Sequence, residues 1–189
     1  MGATGDSAPP RTHAALRRPV VLVGMMGSGK TAVGQALAER LQVPFRDSDH
    51  AIEDAARMSV AEIFARDGEA FFRDRESEVI ARLLAEGPGV VSTGGGAFLS
   101  EATRETVAAT AVSVWLRAAP EVLWPRVKGK AGRPLLARPD ARAALEAMTR
   151  ERAPVYGTAA VVVDSDGEVT VEGMVDRVID ALAGAEALA

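Results

Sequence analysis

Val20-Val21-Leu22-Val23-Gly24-Met25-Met26-Gly27-Ser28-Gly29-Lys30-Thr31 passes from an apolar stretch, opened by Pro19, through a glycine-rich turn to a lysine and a threonine. The pattern predicts a buried strand, a phosphate-binding loop (P-loop) and the first turn of a helix. Each part has a physical task. Glycines let successive backbone N–H groups converge on phosphate oxygens, Lys30 places a point charge at the β- and γ-phosphates, and the Thr31 hydroxyl suits Mg²⁺. Beyond Lys30, Val33, Leu37 and Leu41 recur at i, i+4 and i+8. That spacing draws one apolar stripe along a helix whose N-terminus points at the phosphates. Strand, spacing, lysine and threonine occur together, which separates this stretch from a chance glycine-rich turn.

Around that unit, 189 residues suit a single domain large enough to bury a core around a sheet. The formal net charge of −4 gives the surface no general attraction to nucleic acid. Without cysteine there are no disulfides, thiolate metal sites or cysteine nucleophiles, as suits a reducing compartment, and the cytoplasm is the default location. The longest apolar runs are strand-sized, too short for a bilayer, so no membrane partner is expected. Residues 1 to 18, rich in Ala, Gly, Pro and Arg, read as a mobile tail without the apolar core of a signal peptide. Their basic residues outnumber the lone Asp6, which leaves a transit peptide as the alternative. The domain then spans residues 19 to 189, and with no extended heptad it is expected to be a monomer.

Further along, Val43-Pro44-Phe45-Arg46 predicts a short strand that delivers Asp47-Ser48-Asp49 to the end of the sheet, and Ala51 to Arg57 a helix. Ser59 and Glu62 have the spacing of a capping box ahead of Ile63-Phe64. Gly68 interrupts the pattern, and Glu69 to Glu86 resumes it with Phe72, Val79, Ile80, Leu83 and Leu84 until Gly87-Pro88-Gly89 stops the helix. Val90-Val91 opens a strand that runs into a second glycine-rich turn, Gly94-Gly95-Gly96, where backbone can approach a ligand closely. Helix Glu101 to Ala109, strand Ala111 to Leu116, a helix from Pro120, helix Asp140 to Ala153, strand Ala160 to Val163 and helix Val171 to Leu182 follow. Strands and helices alternate throughout. The alternation predicts a three-layer α/β/α sandwich around a central parallel sheet, with ligands at the carboxyl ends of the strands.

Phosphoryl transfer needs a phosphate cradle, a metal, charge on the moving group and a positioned acceptor. Lys30 and the loop amides suit ATP, Thr31 with a nearby carboxylate suits Mg²⁺, and Asp47 or Asp49 suits the acceptor hydroxyl or its proton. Taken singly, the later residues have plainer readings. Asp47-Ser48-Asp49 reads equally as a helix N-cap, Arg73 with Glu76 as a surface ion pair, Arg133-Pro134-Leu135-Leu136 as a turn, and Arg152 as a cation near a helix C-terminus. As an ordered set, with Phe72-Arg73-Asp74-Arg75-Glu76, Gly94-Gly95-Gly96 and Arg152 four residues before Tyr156, they resemble the shikimate kinase family over about residues 19 to 180. The specificity lies in order and spacing, since no later motif is specific alone.

That resemblance implies a P-loop NTPase fold of the nucleoside monophosphate kinase type and transfer of the ATP γ-phosphate to the 3-hydroxyl of shikimate, in aromatic amino-acid biosynthesis. It implies nucleotide contacts from Gly27, Ser28, Gly29, Lys30, Thr31, Ala32, Arg126 and Arg133, and one Mg²⁺ at Thr31 and Asp47. Asp49 would bond the hydroxyls of shikimate, Arg73 and Arg152 its carboxylate, and the amides of Gly94, Gly95 and Gly96 would complete the pocket. The chemistry suits: a guanidinium fork matches a carboxylate, an acceptor-only carboxylate matches a polyol. Lys30, Asp47 and Arg133 would be catalytic, with Asp47 organising metal and water or acting as base, and Arg133 riding on a lid at about 128 to 140. The strand Val90 to Thr93 ends without the acidic residue of a Walker-B strand, which shifts metal organisation toward Asp47. Two other readings stay open: a related P-loop kinase for another polyol acid such as gluconate, and a silent nucleotide-binding regulator.

Overall fold

Val20–Val23 form β1, and all four side chains are fully buried, as a strand covered on both faces requires. Their alternation distributes them between two cores. Val20 and Leu22 point into one that takes Val33, Leu37 and Leu41 of α1 (Lys30–Leu41) and Met174, Val175, Val178 and Leu182 of α7 (Val171–Gly184). Val21 and Val23 point into the other, with Ile80, Leu83 and Leu84 of α3 (Val60–Ala85), Val107 of α4 (Glu101–Thr110), Leu123 and Val127 of α5 (Pro120–Val127), and Leu145 and Tyr156 of α6 (Ala141–Tyr156). Helices therefore cover both faces. The remaining strands are β2 (Phe45–Asp47), β3 (Val90–Ser92), β4 (Val112–Ala118) and β5 (Val161–Ser165), in the all-parallel order β2-β3-β1-β4-β5. This computed structural model describes residues 16–129, 139–185 and 187–188; Arg133 and most of the expected lid lie outside them.

The central α/β/α layering agrees with the expected class, and the differences lie at element ends. Strand β2 begins at Phe45 rather than Val43, because the Val43 N–H is already donated to Ala38 O (3.0 Å) at the end of α1. Helix α2 (Ser48–Ala56) begins three residues before the expected Ala51, because the Asp47 carboxylate accepts from the N–H groups of Asp49 and His50 and caps it. Ser59 and Glu62 form the expected capping box. At Gly68 the helix path breaks, with φ 85° and ψ 169°, so two helical halves meet at an angle. Ile52, Ile63 and Phe72 seal α2 against α3 in a small core of their own.

The tail boundary expected at residue 18 needs correction. Leu16 is buried in the first core and bridges Leu188, Arg17 N donates to Ala187 O (3.2 Å), and the Arg18 guanidinium donates to Ala109 O (2.9 Å). One leucine and two backbone or guanidinium hydrogen bonds hold the chain there, and a reading by composition averages the leucine away.

Candidate active site

Where β1 ends, the phosphate loop turns over the sheet. Gly27 and Gly29 have φ of 80° and 95°, and a Cβ on Gly27 would run into the Val127 side chain, so glycine is needed for both backbone and space. Gly29 caps α1, which makes Lys30 the first helical residue and aims the helix N-terminus into the loop. The Lys30 ammonium donates to the carbonyls of Gly24 (2.9 Å) and Met25 (3.0 Å), which holds it over the loop. Beside the loop lies a cavity of about 560 Å³, lined by residues 27 to 33 together with Arg126, Val169 and Thr170, a volume suited to a nucleotide. Arg126 also donates to Gly27 O at 3.3 Å. Every described residue expected to touch ATP is therefore on this cavity. Ser165, Val169, Thr170 and Met174 were not foreseen; their one signal is position, at and just beyond the carboxyl end of β5.

Asp47 bridges the two halves of the site. Its Oδ1 accepts from Asp49 N (3.0 Å) and His50 N (3.3 Å), and its Oδ2 accepts from the Thr31 hydroxyl (3.4 Å). The N-cap reading is thus right for Oδ1, while Oδ2 faces Thr31 of the phosphate loop. Thr31 and Asp47 present a hydroxyl and a carboxylate at the helix terminus, and among the described residues no group of three or more His, Asp or Glu offers a dedicated metal cage. An oxygen-only pair with room for water and phosphate ligands fits Mg²⁺, which keeps most of its waters.

On the other side of Asp47, side chains from three helices meet the glycine turn after β3. Burial, then the neighbouring Asp47 charge, raises the Asp49 carboxyl above its ordinary 3.8, while Lys30 and Arg73 pull the other way. Arg73 donates to Glu76 (2.7 Å) and Glu69 (3.2 Å), and its guanidinium lies 5.3 Å from the Phe72 ring and 5.7 Å from that of Phe64. Burial works against the charge of Arg73, but those two carboxylates more than offset it. The pair with Glu76 is no surface pair: Glu76 is 1 % exposed, burial pushes its carboxyl up against the pull of Arg73, and its Oε1 has no hydrogen-bond partner among the described residues. Its i, i+3 spacing from Arg73 was visible in the sequence; its burial was not.

The glycines explain themselves by what a side chain would strike. A Cβ on Gly94 would sit 2.7 Å from Asp49 Oδ1 and 2.8 Å from Glu76 Oε1, and one on Gly96 would overlap the Arg73 guanidinium. Gly95 offers its carbonyl to Arg152 (3.1 Å) and to the Tyr156 hydroxyl. Asp49, Arg73, the three glycines and Arg152 therefore come together next to the phosphate loop, around a polar turn that also meets Glu76. Two guanidinium groups and a carboxylate so grouped suit a small hydroxylated acid.

The shikimate kinase family model matches residues 26–183. The chain belongs to the shikimate kinase family. It is 63 % identical to the shikimate kinase of Ruegeria pomeroyi over 170 residues, 90 % of this chain and 87 % of that one. A shikimate kinase from Acinetobacter baumannii, solved in complex with shikimate, superimposes with a TM-score of 0.84 at 30 % identity, covering 89 % of this chain and 94 % of that one. A gluconokinase from Sinorhizobium meliloti 1021 is more distant, with a TM-score of 0.60 at 22 % identity over 90 % of this chain and 94 % of that one, and shares the fold alone. The P-loop kinase fold and the activity class follow together: this family member is an ATP-dependent shikimate kinase, and the gluconate reading gives way.

Proposed function

We propose that transfer of the ATP γ-phosphate to the shikimate 3-hydroxyl is carried out by the residues assembled on either side of Asp47. Lys30 and the amides of residues 27 to 32 hold the phosphates, and Arg126 lies against the base. Arg73 and Arg152 grip the shikimate carboxylate, Asp49 accepts from its ring hydroxyls, and Gly94, Gly95 and Gly96 let the ring lie on backbone. The acceptor oxygen then forms its bond to the γ-phosphorus as the bond to the bridging oxygen of ADP breaks, and the hydroxyl proton passes to Asp47 or to water that Asp47 orients. Thr31 and Asp47 would hold one Mg²⁺, which supplies charge neutralisation on the β- and γ-phosphates when bound. Arg133, on the 128 to 140 lid, is assigned the charge that arrives as the site closes; it stands on the family resemblance.

The observation that carries this reading is Asp47, whose two oxygens serve Thr31 on the nucleotide side and the turn bearing Asp49 on the acceptor side. The same reading places a monomer in the cytoplasm; among the described residues no helix is long and apolar enough to cross a membrane. The test is ADP release from purified protein with ATP, with and without Mg²⁺, offering shikimate, gluconate or no acceptor at matched concentrations. Turnover that needs both Mg²⁺ and shikimate supports it. Nucleotide binding without turnover on any acceptor would revive the regulator.

A further inference from the structure

Helix α6 ends on a side chain that the reaction as described leaves unused. Tyr156 is 1 % exposed, its ring lies 5.8 Å from that of Trp115, and its hydroxyl is turned toward the glycine turn after β3. There it donates to Gly95 O, the same carbonyl that accepts from Arg152 at 3.1 Å, and it also lies 3.9 Å from Met25 Sδ in the phosphate loop. A carbonyl oxygen has two lone pairs, so these two donors saturate it. Gly95 lies close to the phosphate loop: an added Cβ would come into ordinary contact with Met26 N (3.6 Å) and Gly24 O (3.7 Å), and with Arg152 (3.9 Å). Burial raises the Tyr156 hydroxyl above its ordinary 10.0, so it stays protonated and a donor across the working pH range.

We propose that Tyr156 is a positioning residue for the acceptor: by donating to Gly95 O it holds the triple-glycine turn at a fixed distance from the phosphate loop and keeps the neighbouring Arg152 guanidinium aimed at the shikimate carboxylate. The physical reason is competition. Arg152 has donors to spare, and Gly95 O is the acceptor nearest to hand; with Tyr156 taking one lone pair, only one remains for the guanidinium, whose other N–H groups stay directed into the pocket. Tyr156 touches no reacting atom, so its loss should be felt by the acid and not by the nucleotide. The inference rests on the assignment of Arg152 to the carboxylate.

The experiment compares steady-state kinetics of the full chain as wild type, Y156F, R152A and Y156F/R152A. Phenylalanine keeps the ring and removes one hydroxyl, and the fluorescence of Trp115 and Trp124 with thermal melting checks that each variant is folded. Expected are a rise of about fivefold in KM for shikimate in Y156F, the size of one lost neutral hydrogen bond, with kcat and KM for ATP within about twofold. In the R152A background the same change should add little, because the residue it acts through is gone. Unchanged KM for shikimate in a folded Y156F, or an effect of full size in the R152A background, overturns the inference. Should R152A itself leave KM for shikimate unchanged, the carboxylate assignment fails instead, and the two failures are told apart. If Y156F does not fold, Y156M, which is smaller than tyrosine, adaptable in a core and without the hydroxyl, takes its place in the same cycle: a rise in KM for shikimate that nearly vanishes in the R152A background supports the inference, and an unchanged KM or an effect of full size in that background overturns it.

Discussion

The proposed nucleotide half and the proposed acceptor half of this site lie on either side of one aspartate and are built by opposite means. On the nucleotide side, contiguous backbone does most of the work: residues 27 to 33 wrap the cavity, and Lys30 is held by carbonyls five and six residues before it. On the acceptor side, single side chains arrive from far apart, Asp49 from α2, Arg73 and Glu76 from α3, Arg152 and Tyr156 from α6, and they meet over three glycines that leave room for them where a Cβ would stand, the middle one offering its carbonyl to Arg152 and Tyr156. Local backbone makes a phosphate site whose parts are neighbours in sequence. Converging side chains make a pocket whose specificity depends on every supporting contact.

The sharpest way to separate the halves is to remove one cation from each. Lys30→Ala takes the point charge from the phosphates, and turnover should fall by about 10²- to 10³-fold, as when one preorganised charge-stabilising donor is lost, with the melting temperature nearly unchanged. A folded Lys30→Ala protein with near-normal turnover would undo the phosphate assignment. Arg73→Ala should act on the other half: KM for shikimate rises by on the order of tenfold or more and KM for ATP stays put. It should also cost stability, because it strands Glu76, a carboxylate only 1 % exposed. Adding Glu76→Gln should recover much of the melting temperature while leaving KM for shikimate high. If the second change restored KM as well, Arg73 would be holding the helix and not the substrate.

This contrast also governs what was legible beforehand. The phosphate loop, α1 and its buried Val33, Leu37 and Leu41 could be read directly, because strand, loop and helix are contiguous and each signal lies within a few residues of the next. For the acceptor pocket the sequence showed Asp49, Arg73, the glycines and Arg152 as an ordered set, yet each alone had an equally good plain reading. What turns them into a site is the meeting of chain ends and helix faces that no local pattern encodes. Glu76 was visible as a partner of Arg73 at the right spacing, and nothing in the sequence says that this position faces the core. Similarly, Leu16 looks like part of a mobile tail until the C-terminal Leu188 comes to bridge it.

Glu76 offers a finer probe, through pH. Burial raises its carboxyl above the ordinary 4.5, so the folded protein binds this proton more readily than the unfolded chain does. The sign follows: its contribution to stability is fully present below 4.5 and is lost as pH rises through the elevated value. Glu76→Gln lacks that loss. Melting curves of the two proteins between pH 4 and about 7 should show wild type falling relative to the variant as pH rises. A parallel pair of curves would mean that Arg73 compensates the buried charge fully.

The smallest expected effect tests whether the acceptor half depends on the bend in α3. Gly68 sits at φ 85° and ψ 169°, a region that in practice only glycine occupies, yet an added Cβ there would meet nothing within 4 Å. Gly68→Ala therefore isolates backbone strain from crowding. The cost should be about 1–3 kcal/mol, seen as a lower melting temperature, unless the helix straightens to escape it. Straightening would carry Arg73, five residues on, away from Gly96, and KM for shikimate would then rise a few-fold while KM for ATP holds. A stability loss with both KM values unchanged would show instead that the bend serves the packing of Ile63 and Phe72 against Ile52, and that Arg73 takes its place from the carboxylates and rings around it.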